Sequence, residues 1–415
     1  MSNNSEKALL PAGLSDVLPP DARHEAAVQE QILKIFSCYG YDRVKPPLIE
    51  FEDNLLSGSG STMTGQTFRL MDPVSQRMMG LRADMTLQVA RIAATRLYKQ
   101  PRPLRLSYAG QVLRVKGSQL RPERQFGQVG AELIGDNSVA SDAEVILMAV
   151  EALDAVGIKN ISVDLCIPRL VPAVCQGKKT TKQQSQRLRQ ALDRKDIAGV
   201  NALSSELGKT TTTILARLLT AVSIADDALA LLKKLKLPKS AASELSRLAA
   251  TVKAIRKQAP DLTLTIDPVE NRGFEYHTGV TFTLFSKSAR GELGSGGRYQ
   301  AGNNQSRGEA ATGLTLYIDT ILKAAPQQAE PKRIFLPFGT TAKMARDLRT
   351  GGWITIAEFK RSANYKAEAK KFKCTHILKK GSPVQLSKTK TTKKPARKST
   401  GRKTSKKKRI NLRSQ

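Results

Sequence analysis

Polar side chains interrupt several stretches of the sequence that otherwise alternate like β-strands. The residues whose types could bind a small ligand lie in LRADMT, VLRVKG, RQFGQVGAE and RGFEYHTG, and they are Asp84, Thr86, Arg114, Gln128, Glu132, Arg272, Tyr276 and His277. A carboxylate can bind an α-ammonium group, an arginine can hold an α-carboxylate through two hydrogen bonds, and a second carboxylate can accept from an imidazole N–H. The set therefore suits a small zwitterion.

The spacing within these stretches indicates which side chains share a face. Residues two apart on a strand point the same way, so Asp84 and Thr86 are expected on one face. Gln128 and Glu132, which are four apart, are expected together for the same reason. If the strands are neighbours, these groups lie on one face of one sheet.

The stretch NRGFEYHTG follows the same rule with one exception. Arg272 and Tyr276 share a face, whereas His277 falls on the opposite face unless a β-bulge turns it. Taken alone, each fragment is more typical of a structural ion pair or of packing than of binding. The combination of the fragments is what indicates a binding site.

The composition excludes several classes of protein. The chain has 415 residues, 40% of them hydrophobic, and no run of eighteen apolar residues, so we expect more than one domain and no membrane span. The N-terminus has no apolar signal core, and the four cysteines have no metal-ligand spacing, which favours a reduced cytoplasmic protein. No Walker-type loop is present, and GSGGRY does not fit the dinucleotide fingerprint. No cofactor and no metal are predicted.

Much of the positive charge lies at the C-terminal end. The formal net charge is +32, but residues 379–415 contain 15 Lys or Arg and no acidic residue, which leaves 53 basic and 36 acidic residues, a net +17, in residues 1–378. The segment 381–415 has almost no apolar residues and is predicted to be a disordered basic tail. Such a tail can bind phosphate backbones weakly without reading sequence; a solvated tail is the simpler interpretation.

The order of apolar patterns favours an α+β fold. Strands mostly follow one another with hairpin-length loops, and helices come in separate blocks, which is typical of an antiparallel sheet flanked by helices. A core is predicted at 1–168 and 259–325, interrupted by a helical insertion at 169–258. A small α/β unit at 331–380 follows a Pro/Gln-rich linker.

The ordered set of motifs PAGLSDVLP, YGYDRVKPPLIE, LRADMT, RQFGQVGAELIG, RGFEYHTG and GGRY resembles the class II histidyl-tRNA synthetases. The resemblance covers roughly residues 8–155 and 262–325. It implies a class II synthetase-like antiparallel sheet. YGYDRVKPPLIE resembles the motif 1 dimer element, and RGFEYHTG resembles the histidine-specific segment.

Departures from the synthetase pattern affect the predicted activity. Asp319 and Thr320 stand where motif 3 of the family has Glu-Arg, and a threonine cannot supply the cation that offsets phosphate charge in adenylate formation. In motif 2, Lys116 and Gly117 replace a glutamate and an arginine. The region before the basic tail is also about half as long as the anticodon-binding domain of the synthetases.

The chain therefore resembles the regulatory subunits of ATP phosphoribosyltransferase, which are paralogues of the synthetases, more closely than it resembles the synthetases themselves. That resemblance implies a non-catalytic chain that activates a short-form catalytic subunit in the first step of L-histidine biosynthesis and mediates feedback inhibition by histidine. It implies a hetero-oligomer, with a hetero-octamer as one candidate assembly. A homodimer through residues 22–50 is also implied, by the helix face Val28, Ile32, Ile35 and Phe36 and by VKPPLIEF.

The resemblance also assigns roles within the pocket. Asp84 and Thr86 would face the α-ammonium group of histidine, Gln128 would contact its backbone groups, and Glu132 would hold the imidazole. Three further assignments complete the pocket: Arg272 on the carboxylate side, Tyr276 matching a family tyrosine, and Arg114 matching the motif 2 arginine. His277 replaces a second tyrosine that reaches the ring. Whether histidine uses this pocket or the subunit interface stays open at this point.

Two other functions are compatible with parts of the sequence. An active histidyl-tRNA synthetase would show histidine-dependent ATP–pyrophosphate exchange, which the residues at 319–320 and in motif 2 argue against. A nucleic-acid-binding protein acting through the basic tail would show RNA binding with a steep dependence on salt.

Overall fold

The computed structural model describes residues 9–56, 63–117, 122–178, 180–270, 276–302, 308–327 and 331–386. The chain divides into two compact units, Met1–Gln327 and Gln328–Gln415. No helix among the described residues is long and apolar enough to cross a membrane.

The described strands of the first unit form one large and one small sheet. These strands are β1 (Asp42–Arg43), β2 (Ile49–Phe51), β3 (Arg69–Met71), β4 (Met78–Leu81), β5 (Leu104–Leu113), β6 (Gln125–Ile134), β7 (Ile161–Cys166), β8 (Ser223–Ile224), β9 (Thr263–Ile266), β10 (His277–Ser286), β11 (Gly294–Ala301) and β12 (Glu309–Tyr317). The large sheet has nine strands in the order β1-β5-β6-β12-β11-β10-β7-β9-β8, and the small one has the order β2-β4-β3. Only β1–β5 and β7–β9 pair in parallel, so the large sheet is mainly antiparallel, as predicted.

Helices cover the large sheet and fill the long connection between β7 and β9. They are α1 (Asp21–Cys38), α2 (Glu52–Leu55), α3 (Thr86–Thr95), α4 (Val139–Ala155), α5 (Leu170–Val174), α6 (Lys182–Asp193), α7 (Ile197–Asn201), α8 (Ser204–Leu207), α9 (Lys209–Thr220), α10 (Ala225–Leu232), α11 (Lys239–Gln258) and α12 (Ile318–Ala324). Helices α5 to α11 lie within the range predicted for the insertion. The short strand β8 also lies there and forms an edge of the large sheet, so this segment is not purely helical.

The hairpin of β5 and β6 sets the two faces of the large sheet. Its register runs from Leu104 opposite Ile134 to Leu113 opposite Gln125 without interruption. Because side chains alternate along a strand, Val129, Ala131 and Leu133 of β6 point together into the main hydrophobic core. The intervening residues of β6 point to the opposite face.

Helix α1 packs against this core, which corrects one expectation. Val28, Ile32 and Phe36 are buried and belong to the core cluster that includes α4 and β6. Ile35 is only partly buried and packs against the same cluster. The apolar face of α1 is therefore occupied within the chain, and the prediction that this face forms a dimer interface is wrong.

The second unit is a small α/β fold. Its described elements are β13 (Arg333–Leu336), α13 (Ala342–Thr350), β14 (Ile354–Ala357), α14 (Tyr365–Lys371), β15 (His376–Lys379) and β16 (Ser382–Gln385). The strand order is β14-β13-β15-β16, with β13 parallel to β14 and β15, and β16 antiparallel to β15. The predicted unit at 331–380 thus continues through β16, and residues 381–386, which were predicted to belong to the tail, are part of this unit. Residues 387–415 lie outside the described residues.

Candidate functional site

A cavity of about 660 Å³ opens on the face of the large sheet that the core does not cover. We call it the first cavity. Among its lining residues are the predicted Asp84, Thr86, Arg114, Glu132, Tyr276 and His277. Strands β5, β6, β10, β11 and β12, together with the start of α3, position these side chains. Stretches far apart in the sequence therefore meet at one place.

Strand register explains how the floor of the first cavity forms. Glu132 of β6 is opposite Gly313 of β12, and Gly313 is opposite Gly297 of β11. A Cβ atom at Gly313 would lie 1.9 Å from Glu132 Oε2, and one at Gly297 would lie 2.9 Å from His277 Cδ2. The glycines are thus required to leave room for the polar side chains beside them.

Two tyrosines hold Glu132 at the bottom of the cavity. The Tyr108 hydroxyl donates to Glu132 Oε1 at 3.0 Å, and the Tyr299 hydroxyl donates to Oε2 at 2.9 Å. The Glu132 side chain is fully buried. Burial raises the pKa of this carboxyl from 4.5 to about 8, although both tyrosine hydrogen bonds oppose the shift. A ligand with a positively charged or N–H-donating group would favour the ionised form.

The turn before α3 places Asp84 and Thr86 together, but not on a strand as predicted. Strand β4 ends at Leu81 and Thr86 begins α3, so the residues between them form a turn. Asp84 Oδ1 accepts from the Thr86 backbone N–H at 2.8 Å. The two side chains are neighbours because of this local hydrogen bond and not because of strand alternation.

Gln128 lies beneath Asp84 and orients it. Its amide Nε2 donates to Asp84 Oδ2 at 3.0 Å and to Thr315 Oγ1 at 3.1 Å, and its Oε1 accepts from the Met85 backbone N–H at 2.9 Å. Gln128 is buried and does not line the first cavity. Gln128 therefore contacts Asp84 from below, and its direct contact with a ligand stays a prediction.

Arg82 fixes the same turn from its other side. Its Nε donates to the Gln111 carbonyl oxygen at 2.8 Å, and its Nη1 donates to that of Pro46 at 3.0 Å. Desolvation by burial lowers the pKa of this guanidinium. Arg82 thus ties the turn to strand β5 and to the segment before β2, and it does not line the first cavity.

An irregularity at the start of β10 brings both ring residues to the cavity. His277 is opposite Tyr299, but Thr281 is opposite Gly297, so β10 contains two extra residues in this interval. Tyr276 and His277 both line the first cavity, and their ring centroids are 4.0 Å apart. The β-bulge that His277 needs in order to face the site is therefore present.

Aromatic residues close another side of the first cavity. The Arg114 guanidinium lies over the Phe126 ring, 5.1 Å from its centroid. Tyr317 packs edge-on against the same ring, and its hydroxyl lies 3.0 Å from Ser295 Oγ. Arg114 and Tyr317 line the cavity here, and Arg114 is the only Lys or Arg among the described lining residues.

The carboxylates of the first cavity outnumber its cations. The acidic lining residues are Asp84, Glu132, Asp164, Glu270 and Glu292. Asp164 lies on β7, opposite Thr283 of β10, and burial raises the pKa of its carboxyl. The described lining thus favours a ligand that carries positive charge over a polyphosphate.

Arg272 lies outside the described residues. Asp319 and Thr320, the residues at the motif 3 positions, lie in α12 and do not line the first cavity. Tyr108 and Tyr299 contact Glu132 and were not predicted as site residues. Tyr299 could have been found, because it ends the GGRY motif and stands two positions after Gly297.

Comparison with known proteins identifies the family. The family model for histidyl-tRNA synthetase matches residues 13–321. ATP phosphoribosyltransferase regulatory subunits of Rhodospirillum centenum and Paramagnetospirillum magneticum are 55% and 54% identical to this chain, over 89% and 91% of its length and 94% and 98% of theirs.

Solved structures show the same fold. A Bacillus halodurans protein described as an ATP phosphoribosyltransferase regulatory subunit/histidyl-tRNA synthetase has a TM-score of 0.76 at 24% identity, covering 88% of this chain and 96% of that one. Histidyl-tRNA synthetase from a Nostoc species has a TM-score of 0.74 at 21% identity, covering 90% and 91%. The predicted class II synthetase-like fold is confirmed. The chain belongs to the ATP phosphoribosyltransferase regulatory subunit family, a branch of the histidyl-tRNA synthetase-like proteins.

Proposed function

We propose that this chain is a non-catalytic regulatory subunit that activates a short-form ATP phosphoribosyltransferase catalytic subunit and transmits feedback inhibition by histidine. The names of relatives that match it over nearly their whole length support the regulatory role. The observation that carries the histidine-sensing part is the first cavity, where a buried carboxylate, Glu132, accepts from two neutral hydroxyls and lines the space.

The chemistry of the first cavity fits histidine group by group. Asp84 and Thr86 supply a carboxylate and a hydroxyl for the α-ammonium group. Glu132 supplies an acceptor for an imidazole N–H, with the rings of Tyr276 and His277 on the same cavity wall. Hydrogen bonds with an ionised donor or acceptor are about twice as strong as hydrogen bonds between neutral groups.

The α-carboxylate of histidine needs a cation. Arg114 lines the first cavity and is available for this role. Arg272 is proposed to share it, on the basis of its place in the family motif. An arginine binds a carboxylate better than a lysine would, because the guanidinium can donate two parallel hydrogen bonds.

The same cavity is poorly suited to forming an adenylate from ATP. Five carboxylates line it against one described arginine, and neither Asp319 nor Thr320 reaches it. A triphosphate would meet uncompensated negative charge there. The proposed chain therefore binds the amino acid without activating it.

Regulation requires that histidine bind two states of the complex with different affinity. A ligand that binds both states equally shifts nothing, however tightly it binds. We propose that closure around histidine in the first cavity favours the inhibited state of the hetero-oligomer with the catalytic subunit.

A homodimer remains part of the proposal, but through a different surface from the α1 face. In the 22–50 segment, Leu48 and Ile49 are exposed. Met71 and Met78, which are exposed and opposite one another on the small sheet, add apolar surface. A self-complementary contact there would bury these side chains twice.

The test combines this chain with a short-form catalytic subunit. The two proteins should co-purify, catalytic activity should rise when this chain is added, and histidine should inhibit only the complex. The chain alone should bind histidine in calorimetry and give no histidine-dependent ATP–pyrophosphate exchange. Robust exchange, or a catalytic subunit indifferent to this chain, contradicts the proposal.

A further inference from the structure

A second cavity, of about 350 Å³, lies between the segment 15–17 that precedes α1, α1 itself, β6 and α12. It is distinct from the first cavity, but Phe126 connects the two. Phe126 lines the second cavity, while its ring contacts Arg114 and Tyr317 of the first. Nothing in the proposed histidine site uses the second cavity.

His24 of α1 is the feature that sets this cavity apart. The residue is only 6% exposed and lines the second cavity. Within the described part of the chain, neither Nδ1 nor Nε2 has a hydrogen-bond partner. Buried polar groups nearly always have partners, because leaving them unsatisfied is costly. A ligand in the second cavity that reaches these nitrogens would supply the missing partners.

The charge of the lining indicates what that ligand carries. Carboxylates come from three different parts of the first unit, and they are Asp21, Glu25, Glu123 and Asp319. Lys323 is the only Lys or Arg among the described lining residues, and its Nζ lies 3.2 Å from Glu123 Oε1. The wall is therefore acidic in a chain whose net charge is +32. Such a wall attracts a cation and repels an anion.

Two of these carboxylates, Glu25 and Asp21, accept hydrogen bonds from neutral amides. Glu25 Oε1 accepts from the amides of Gln29 at 3.0 Å and Gln111 at 3.1 Å, and Asp21 Oδ1 accepts from the amide of Gln327 at 3.4 Å. These donors are uncharged, so they orient the carboxylates and leave their negative charge in place. No group of three metal-ligating side chains occurs among the described residues, which argues against a metal ion as the occupant.

We propose that the second cavity binds a small organic cation that bears a guanidinium or protonated amine close to a hydrogen-bond acceptor. The cationic group faces the carboxylates, and one of its N–H groups donates to the unprotonated nitrogen of His24. The other His24 nitrogen donates to the acceptor on the ligand. A basic amino acid has both features, since its net charge stays positive and its α-carboxylate can accept the hydrogen bond.

The experiment compares two isosteric ligands on the full chain. L-Arginine and L-citrulline have nearly the same shape, but only arginine carries the positive charge. In calorimetry we expect arginine to bind at least about tenfold more tightly than citrulline, because each hydrogen bond to a charged group is worth about a factor of ten or more. Equal affinities for the two ligands would overturn the proposal.

Variants assign the binding to the second cavity. His24→Leu should lower arginine affinity at least about tenfold and leave the thermal stability of the unliganded chain unchanged or higher, since it removes unpartnered polar atoms. Asp319→Asn should also weaken arginine binding. The matched control Asp154→Asn alters a carboxylate that is paired with Lys159 away from both cavities, and it should have no effect.

A cross-control separates this inference from the proposed function. Glu132→Gln should leave arginine affinity unchanged while weakening histidine binding, and His24→Leu should do the reverse. If Glu132→Gln weakens arginine binding and His24→Leu does not, arginine occupies the first cavity and the inference fails. If wild-type chain binds arginine but not histidine, the proposed function fails and the inference stands.

Discussion

Two buried carboxylates in the first unit, Glu132 and Asp142, are held in different ways. Asp142 lies in the first turn of α4, where it pairs with the Arg298 guanidinium at 2.7 Å and accepts from the Thr312 hydroxyl at 2.7 Å. Glu132 accepts from the neutral hydroxyls of Tyr108 and Tyr299. Both side chains are almost completely buried.

The arginine partner of Asp142 distinguishes a structural carboxylate from one that is suited to bind a ligand. Arg298 compensates the charge of Asp142 and also donates to the backbone carbonyl oxygens of Asp136 and Ser138, so this cluster ties β11 to the start of α4. Among the described residues no Lys or Arg forms an ion pair with Glu132, and burial raises the pKa of its carboxyl to about 8. The cluster around Asp142 should therefore govern stability, and the one around Glu132 should govern binding.

The largest effect is expected from breaking the structural pair. Asp142→Ala leaves the Arg298 guanidinium buried without its counterion, which typically costs about 3–5 kcal/mol of unfolding free energy. Urea denaturation followed by circular dichroism measures the loss. Asp154→Ala, which breaks an exposed pair with Lys159, should cost no more than about 1 kcal/mol. Similar losses for both variants would show that Asp142 is not a structural carboxylate.

Removing the charge at the other carboxylate should affect binding instead. Glu132→Gln keeps the shape of the side chain but loses the charged acceptor, and charged hydrogen bonds are worth about 1.5–3 kcal/mol. Histidine affinity should fall at least about tenfold in calorimetry, and inhibition of the complex by histidine should weaken in parallel. If histidine affinity is retained, histidine binds elsewhere, and the contrast between the two carboxylates loses its functional meaning.

The Glu132→Gln variant also tests the raised pKa of Glu132, through the dependence of stability on pH. Between pH 4.5 and about 8 the folded chain keeps Glu132 protonated, while the unfolded chain does not. The native state then binds more protons, so the unfolding free energy contributed by this group is greatest below pH 4.5 and falls as pH rises towards 8. Glu132→Gln should make the decline between pH 5 and 8 shallower. An unchanged slope would mean that Glu132 ionises normally in the fold.

A steric change tests whether the floor of the first cavity must stay open. In Gly313→Ala the new methyl group would lie 1.9 Å from Glu132 Oε2, so Glu132 or the strand must move. Overpacking of this kind costs about 1–3 kcal/mol of stability, and histidine binding should be lost. Gly65→Ala is the control, since a Cβ there meets no atom within 4 Å. A Gly313→Ala variant that binds histidine normally would refute the tight fit.

The smallest effect is expected from one hydroxyl. Tyr299→Phe removes a hydrogen-bond donor to Glu132, and the unfolding free energy should fall by about 0.5–1.5 kcal/mol. Because that hydrogen bond lowers the pKa of Glu132, its loss should raise the pKa further. The pH at which histidine affinity reaches its plateau should move upward in calorimetric titrations. A shift downward, or none, would show that Tyr299 does not stabilise the ionised carboxylate.

Strand alternation predicted part of the site correctly and part of it wrongly. It placed Gln128 and Glu132 on one face because β6 is regular over its whole length. It failed for Asp84 and Thr86, because the strand ends at Leu81 and a helix begins at Thr86. The apolar spacing of α1 correctly predicted a helix, but the pattern could not show that the apolar face packs on the core of the same chain and not on a second copy.

The sequence by itself determined the antiparallel fold, the order of the motifs and the residue types of the first cavity, since period-two patterns and local motifs depend only on neighbours along the chain. Only the tertiary structure decided that Tyr108 and Tyr299 hold Glu132 and that a bulge brings His277 to the same cavity. It also decided that His24 lines a separate acidic cavity. These features depend on which strands pair and in what register, and contacts between residues so far apart in the chain leave no local pattern.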